Sequence, residues 1–237
     1  MKDQYFGDVN DYRKYGLLRG LSQEGHFRLG VCWMLTPNDG RSDGRFTEFL
    51  SRPAQWRHFD PLLFDSLTRA LGSQTGRTVS QVPGLGLLPG ALFLEPVLFD
   101  QPDRRAQYFA EMLDAFADAE LIFLDPDNGL EVKSRPYGSR GSSKYLYWRE
   151  VSEAFQRGHS LLIYQHFPRQ KRSAFLSRTG HDISHRIPAR HVCAAVTPNV
   201  GFFLALQPAH AERGRQALAS VSQRWPGQID YVPDLAA

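Results

Sequence analysis

The sequence predicts a three-layer, Rossmann-like α/β sandwich on a mainly parallel sheet, with one antiparallel strand near the C-terminus. Three observations carry that expectation. Residues 121–124 (Leu-Ile-Phe-Leu) and 160–165 (Ser-Leu-Leu-Ile-Tyr-Gln) are short, nearly unbroken apolar runs, the pattern of strands buried on both faces. Strand-like and helix-like segments alternate along the 237 residues. Apolar runs at 192–196 and 201–206 are separated by Thr197-Pro198-Asn199-Val200, a connection that only antiparallel neighbours permit.

The elements follow in order. Residues 8–23 read as a helix striped by Tyr12, Tyr15, Leu17, Leu18 and Leu21, with Asp8 or Asn10 as its cap. Residues 29–35 form a strand ending at Thr36-Pro37-Asn38-Asp39-Gly40. Residues 45–50 and 61–71 read as helices. The Gly- and Pro-rich stretch 72–90 holds a short strand at 78–82. Residues 91–98 make a strand interrupted by Pro96. Residues 102–119 are an amphipathic helix with Phe109, Met112, Leu113 and Phe116 on one side. After the 121–124 strand, the polar stretch 133–143 reads as a mobile cover. Helices at 147–157, 169–177 and 209–224 complete the alternation. With no linker or repeat, residues 1–237 read as one domain.

Composition excludes several classes. Hydrophobic residues make up 42% and charged residues 22%, within the globular range. No apolar run approaches the roughly 20 residues that span a bilayer, and the first residues lack the apolar core of a signal peptide. The expectation is a cytoplasmic protein with no membrane segment. Cys32 and Cys193 lie in apolar strands and read as free buried thiols. The net charge of +3 is mild, but Arg169, Lys171, Arg172, Arg178, Arg186 and Arg190 face only Asp182 along one stretch. Such a cluster suits phosphates, so Arg169, Lys171 and Arg172 are the candidate contacts to nucleic acid; a solvated helix face has the same composition.

The chemistry concentrates where strands end. Asp125-Pro126-Asp127-Asn128-Gly129 leaves the 121–124 strand, and ligands of open α/β sheets bind at that edge. The 36–40 turn, Glu95 and Gln165-His166-Phe167-Pro168 end the other strands. If those strands are parallel, Asp39, Glu95, Asp125, Asp127 and His166 share a rim. A single acidic turn residue ordinarily serves as a cap or Asx-turn; four such turns in phase point to a site. His166 is a candidate base or ligand and equally a structural histidine. Within Tyr5–Tyr15, capping and packing come first, with Tyr12, Lys14 and Tyr15 also able to face a ligand. Gly84-Leu85-Gly86 has the wrong spacing for a dinucleotide fingerprint. Pro126-Asp127 followed by Glu131-Val132-Lys133 is too compact for a Pro-Asp, Glu-x-Lys nuclease.

The order of these motifs resembles the class I S-adenosylmethionine-dependent methyltransferases, especially the large-subunit rRNA adenine-N6 enzymes. Tyr5-Phe6-Gly7-Asp8-Val9 stands where that family has Asn-Phe-Ala-Asp-Val, and Thr36-Pro37-Asn38-Asp39-Gly40 where it has Thr-His-Ala-Gly. Asp125-Pro126-Asp127-Asn128 takes the place of Asp-Pro-Pro-Tyr, and Tyr164-Gln165-His166-Phe167-Pro168 that of a Trp-Tyr-Pro segment. The resemblance spans most of the chain by motif order, apart from residues 52–90. It implies S-adenosylmethionine over the first two strand ends, held by Thr36, Asn38, Asp39, Gly40 and Glu95. Asp125, Asp127, Asn128 and His166 would then form the reacting centre. Asp127 and Asn128 replace the second Pro and the Tyr that hold and stack a target base, so the departures imply an activity changed or lost. Beside this methyltransferase-like reading stand two others. One is a Mg²⁺-dependent phosphoesterase or nuclease using Asp39, Asp125 and Asp127, with His166 or Lys144 assisting. The other is a non-catalytic binding protein on the same fold.

Overall fold

The computed structural model describes residues 1–38, 40, 44–72 and 76–235. The helices are α1 (Val9–Gln23), α2 (Pro53–Trp56), α3 (Pro61–Gly72), α4 (Pro102–Ala115), α5 (Trp148–Gln156), α6 (Arg172–Arg186) and α7 (Ala211–Arg224). The strands are β1 (Leu29–Cys32), β2 (Leu92–Leu94), β3 (Leu121–Leu124), β4 (Gly129–Leu130), β5 (Tyr145–Leu146), β6 (Ser160–His166), β7 (His191–Val196), β8 (Val200–Leu206) and β9 (Asp230–Val232). Seven strands form one sheet in the order β2-β1-β3-β6-β8-β7-β9, and β4 and β5 make a separate parallel pair.

The α/β sandwich expected from the sequence is what forms. β2, β1, β3 and β6 are parallel neighbours. β8 returns from β7 through a short turn and inserts between β6 and β7, antiparallel to both. A further short strand, β9, pairs antiparallel with β7 at the edge; it lies beyond the last helix, where the sequence reading had no element.

Both faces are covered. Leu121 and Phe123 pack toward α1, α3 and α7, whereas Ile122 and Leu124 pack toward α4, α5 and α6. Two-sided burial explains the unbroken apolar run of β3, since successive side chains point to opposite faces.

Some elements depart from expectation. Residues 78–82 form a 3₁₀ turn, Val79–Gln81, because the Asp3 and Thr78 side chains capture the backbone. The Asp3 carboxylate accepts from the Thr78 hydroxyl and the Val79 N–H, and the Thr78 hydroxyl accepts from the Ser80 N–H. Residues 45–50 contribute only the 3₁₀ turn Glu48–Ser51. The helix expected at 169–177 starts at Arg172, after a turn from Pro168 to Gln170, and continues to Arg186 on the buried stripe Phe175, Leu176, Thr179 and Ile183. Among the described residues no helix is long and apolar enough to cross a membrane. Cys32 and Cys193 are free and buried.

Candidate functional site

Parallel pairing brings the carboxyl ends of β2, β1, β3 and β6 to one edge, with Cys32 opposite both Leu94 and Leu124, and Leu124 opposite Ile163. A cavity of about 310 Å³ opens there over β3 and β6. Its floor is the 125–128 turn, its far wall Tyr164 and His166, and its roof the chain's first residues with the start of α1.

Gly129 makes the turn possible. It lies at φ +111°, and a Cβ there would come within 2.3 Å of the Gln165 side chain. Gln165 uses that closeness: its carbonyl accepts from the Leu130 N–H at 2.8 Å, and its amide reaches the Asn128 carbonyl at 3.3 Å. The Asp125 turn is thereby latched to the end of β6.

The acidic pair is neutralised from the N-terminal side. Lys14 Nζ lies 2.7 Å from Asp125 and 2.9 Å from Asp11. The Met1 α-ammonium lies 2.8 Å from Asp127, which also accepts from the Thr36 hydroxyl at 2.8 Å and has Lys2 Nζ at 3.5 Å. These environments push the two carboxyls apart. Burial raises Asp125, whose ammonium partner is shared with Asp11. Asp127 is held below the usual carboxylate range: its burial is outweighed by the Met1 ammonium and the Thr36 hydroxyl. Burial alone would lower Lys14, but its two carboxylates keep it above the ordinary lysine value. Tyr15 donates to Asp11 at 3.1 Å and completes the network.

Three groups on the wall are left for a ligand. The Asn128 carboxamide makes no hydrogen bond with described residues, and none of their carboxylates pairs with the half-buried Lys144 ammonium. His166 stands at the mouth, its Nε2 3.1 Å from the Tyr164 hydroxyl. Desolvation by the surrounding walls lowers its pKa against the pull of Asp125 and Asp127. That shift favours the neutral imidazole, the form that accepts a proton.

Of the two expected caps, Asp8 and Asn10, it is Asp8 that caps α1: one carboxylate oxygen accepts from the Asn10 and Asp11 N–H groups at 2.8 and 2.9 Å. It also lines the cavity, and burial together with Asp11 raises its pKa to about 7. Between its unfolded value near 3.8 and about 7, the folded protein binds the extra proton, so stability falls as pH rises through that window. Asp8→Asn keeps a competent cap and removes the titration. The variant is expected to flatten the fall in melting temperature between pH 4 and pH 7. A parallel-shifted curve of unchanged slope would contradict this.

The other expected residues divide. Asp125, Asp127, Asn128 and His166 converge, and Thr36 joins them through Asp127. Of the residues expected to hold the cofactor, Asn38, Gly40 and Glu95 lie away from this cavity. Asn38 is exposed and accepts from the Gln4 N–H; with Gly40 it faces a separate cavity lined by Gln4, Arg45 and Arg77. Glu95 is exposed on the edge side, two strands from β3. Strands sit about 4.8 Å apart, so a shared rim still leaves Glu95 roughly 10 Å from the turn. Asp39 lies outside the described residues. Among those residues no three His, Cys, Asp or Glu side chains gather as a metal-binding group.

The stretch expected to be a mobile cover is tied down at its end. Asp100 accepts from the Gly141 and Ser143 N–H groups at 2.8 and 2.7 Å, and Arg105 holds the Ser142 and Tyr145 carbonyls. This tether delivers Lys144 to the cavity. Tyr12 and Tyr15 are core residues; of the three N-terminal side chains offered to a ligand, only Lys14 lines the cavity. The readable signal for it was Asp11 three residues earlier, a pair that would sit on one helix face.

Compared with known protein families and with curated proteins, the sequence finds no match.

Proposed function

We propose that the protein is a methyltransferase-like enzyme that uses S-adenosylmethionine, with its reacting centre in the cavity at the ends of β3 and β6. The observation that carries this reading is the Asn128 carboxamide, unpaired with any described residue and lining the same cavity as His166, on a turn whose first half, Asp125-Pro126, matches the family's catalytic motif. The reversed β8 between β6 and β7 agrees with the sheet that the resemblance implies, although a fold alone assigns no activity.

The donor set of the cavity fits the cofactor, by residues other than those first expected. Lys144 suits its carboxylate, Asp8 its cationic groups, and Phe46 and Tyr164 offer aromatic surface. When bound, the cofactor would supply an electrophilic methyl group. The chain's own part is placement. Asn128 Oδ1 accepts a hydrogen bond from an amine on the acceptor, and His166 takes up the proton released. The buried Lys14–Asp125 pair keeps the floor rigid.

Titration calorimetry tests the reading. S-Adenosylmethionine is expected to bind in the micromolar range, equally with Mg²⁺ or with a chelator present. Saturable Mg²⁺ binding with no heat from S-adenosylmethionine would refute it and favour the metal-dependent alternative.

Nucleic acid is the proposed partner. Arg169, Lys171 and Arg172 are exposed just past His166; Arg172 stacks on Phe167 and donates to the Pro198 carbonyl at 2.7 Å. Changing all three to Gln is expected to weaken nucleic-acid binding and to reduce the slope of log affinity against log salt by about 2–3. An unchanged slope would remove this surface from the proposal.

A further inference from the structure

A second cavity of about 600 Å³ adjoins the first, and Phe46 walls both. Residues 46–56 supply most of its lining, with Val9, Arg13 and Asn199 completing it. Phe46, Phe49 and Trp56 give it an apolar, aromatic lining; Phe46 is 66% exposed, a large ring left uncovered at the boundary.

Arg13 also lines this cavity. Its residue is only 6% exposed, and it makes no ion pair with any described residue, although the Asp8 carboxyl attracts it from beyond ion-pair distance. Its hydrogen-bond partners are neutral. Nε and Nη2 donate to Gln228 Oε1 at 3.1 and 2.7 Å, and Nη1 donates to Asn10 Oδ1 at 3.3 Å. Three of five N–H donors are thus used, and one remains on each terminal nitrogen. A buried guanidinium ordinarily has an anion beside it, because hydration lost on burial must be replaced. Two donors of one planar fork match the oxygens of a carboxylate or phosphate. The guanidinium lies 5.5 Å from the Trp56 ring centroid, so an anion bound there would have an aromatic surface alongside. Exposed Arg52 and Glu48 stand at the rim with opposite charges and leave Arg13 as the deciding cation.

We infer that this cavity is a binding site for a small aromatic anion: a ring seated among Phe46, Phe49 and Trp56, with its carboxylate or phosphate on Arg13. The site stands whether or not the neighbouring cavity transfers methyl groups.

Calorimetry with phenyl phosphate and benzoate, against inorganic phosphate and phenol, tests it on the whole chain. Either aromatic anion is expected to bind at least about tenfold more tightly than phosphate or phenol alone; the stronger of the two identifies the anion. Gln228→Glu puts a carboxylate in direct contact with Arg13. It is expected to weaken the aromatic anion at least about tenfold while holding or raising Tm. If that variant lowers Tm instead, Trp56→Ala decides: loss of the preference for ring-bearing anions supports the site, and an unchanged preference overturns it. No saturable binding of either aromatic anion, or undiminished binding to a stably folded Gln228→Glu variant, also overturns it. Because S-adenosylmethionine is absent from these titrations, failure here is separate from failure of the methyltransferase reading.

Discussion

Lys14→Met is expected to destabilise the protein by about 3–5 kcal/mol, the range for removing one partner of a buried ion pair. The side chain is 3% exposed, and its single ammonium serves Asp11 and Asp125, which are 2% exposed. Methionine fills much of the volume and leaves two carboxyls facing each other without a cation. The smaller repair open to the protein is protonation of Asp125, whose pKa is already raised. The loss should therefore be greater at pH 8 than at pH 5. Adding Asp125→Asn to Lys14→Met should restore part of the stability, since it removes one stranded charge. For a chain of this size the single variant is expected to melt roughly 6–20 °C lower. A shift of only a degree or two would mean that Lys14 behaves as a surface cation, worth at most about 1 kcal/mol.

Arg105→Met should cost a comparable amount, about 3–5 kcal/mol, with a different local signature. Arg105 is wholly buried and forks onto Glu150, Nε to Oε1 at 2.6 Å and Nη2 to Oε2 at 2.9 Å. Its other donors take the Ser142 and Tyr145 carbonyls at 3.0 and 2.7 Å. Glu150 in turn accepts from the Tyr147 N–H and closes the start of α5. Removing the guanidinium strands a buried carboxylate and two carbonyls together, and releases residues 142–147. Amide exchange there should rise well before global unfolding. Arg105→Lys keeps the charge but not the fork, and should fall between the two. Equal exchange in wild type and Arg105→Met would show that the segment does not depend on this residue.

These two cations mark the boundary of what the sequence discloses. β3 was legible because two-sided burial writes itself as consecutive apolar residues, and the adjoining turn was legible because Pro126 and Gly129 punctuate it. The cap at Asp8 followed from its place before the helical stripe. Arg105 carries no comparable signal, and at Lys14 the only one is Asp11 three residues earlier, which says nothing of Asp125. Each lies on a helix whose apolar stripe accounts for the neighbouring residues, and each finds its partner far along the chain, 111 residues away for Asp125 and 45 for Glu150. Glu95 shows the opposite failure. Parallel strands predicted its rim, but strand order decided its lateral distance, and that order was not written in local pattern. Residues 46–56 resisted reading because single-turn helices and aromatic packing have no period.

The central claim is that ligand binds over the ends of β3 and β6. Hydrogen exchange with and without saturating S-adenosylmethionine tests it most directly. The expected result is slower exchange at the Asp127, Asn128 and His166 amides, with little change at Glu95. Protection confined to residues 36–38 and 95, or no protection at the 125–128 turn while the ligand is bound, would contradict it.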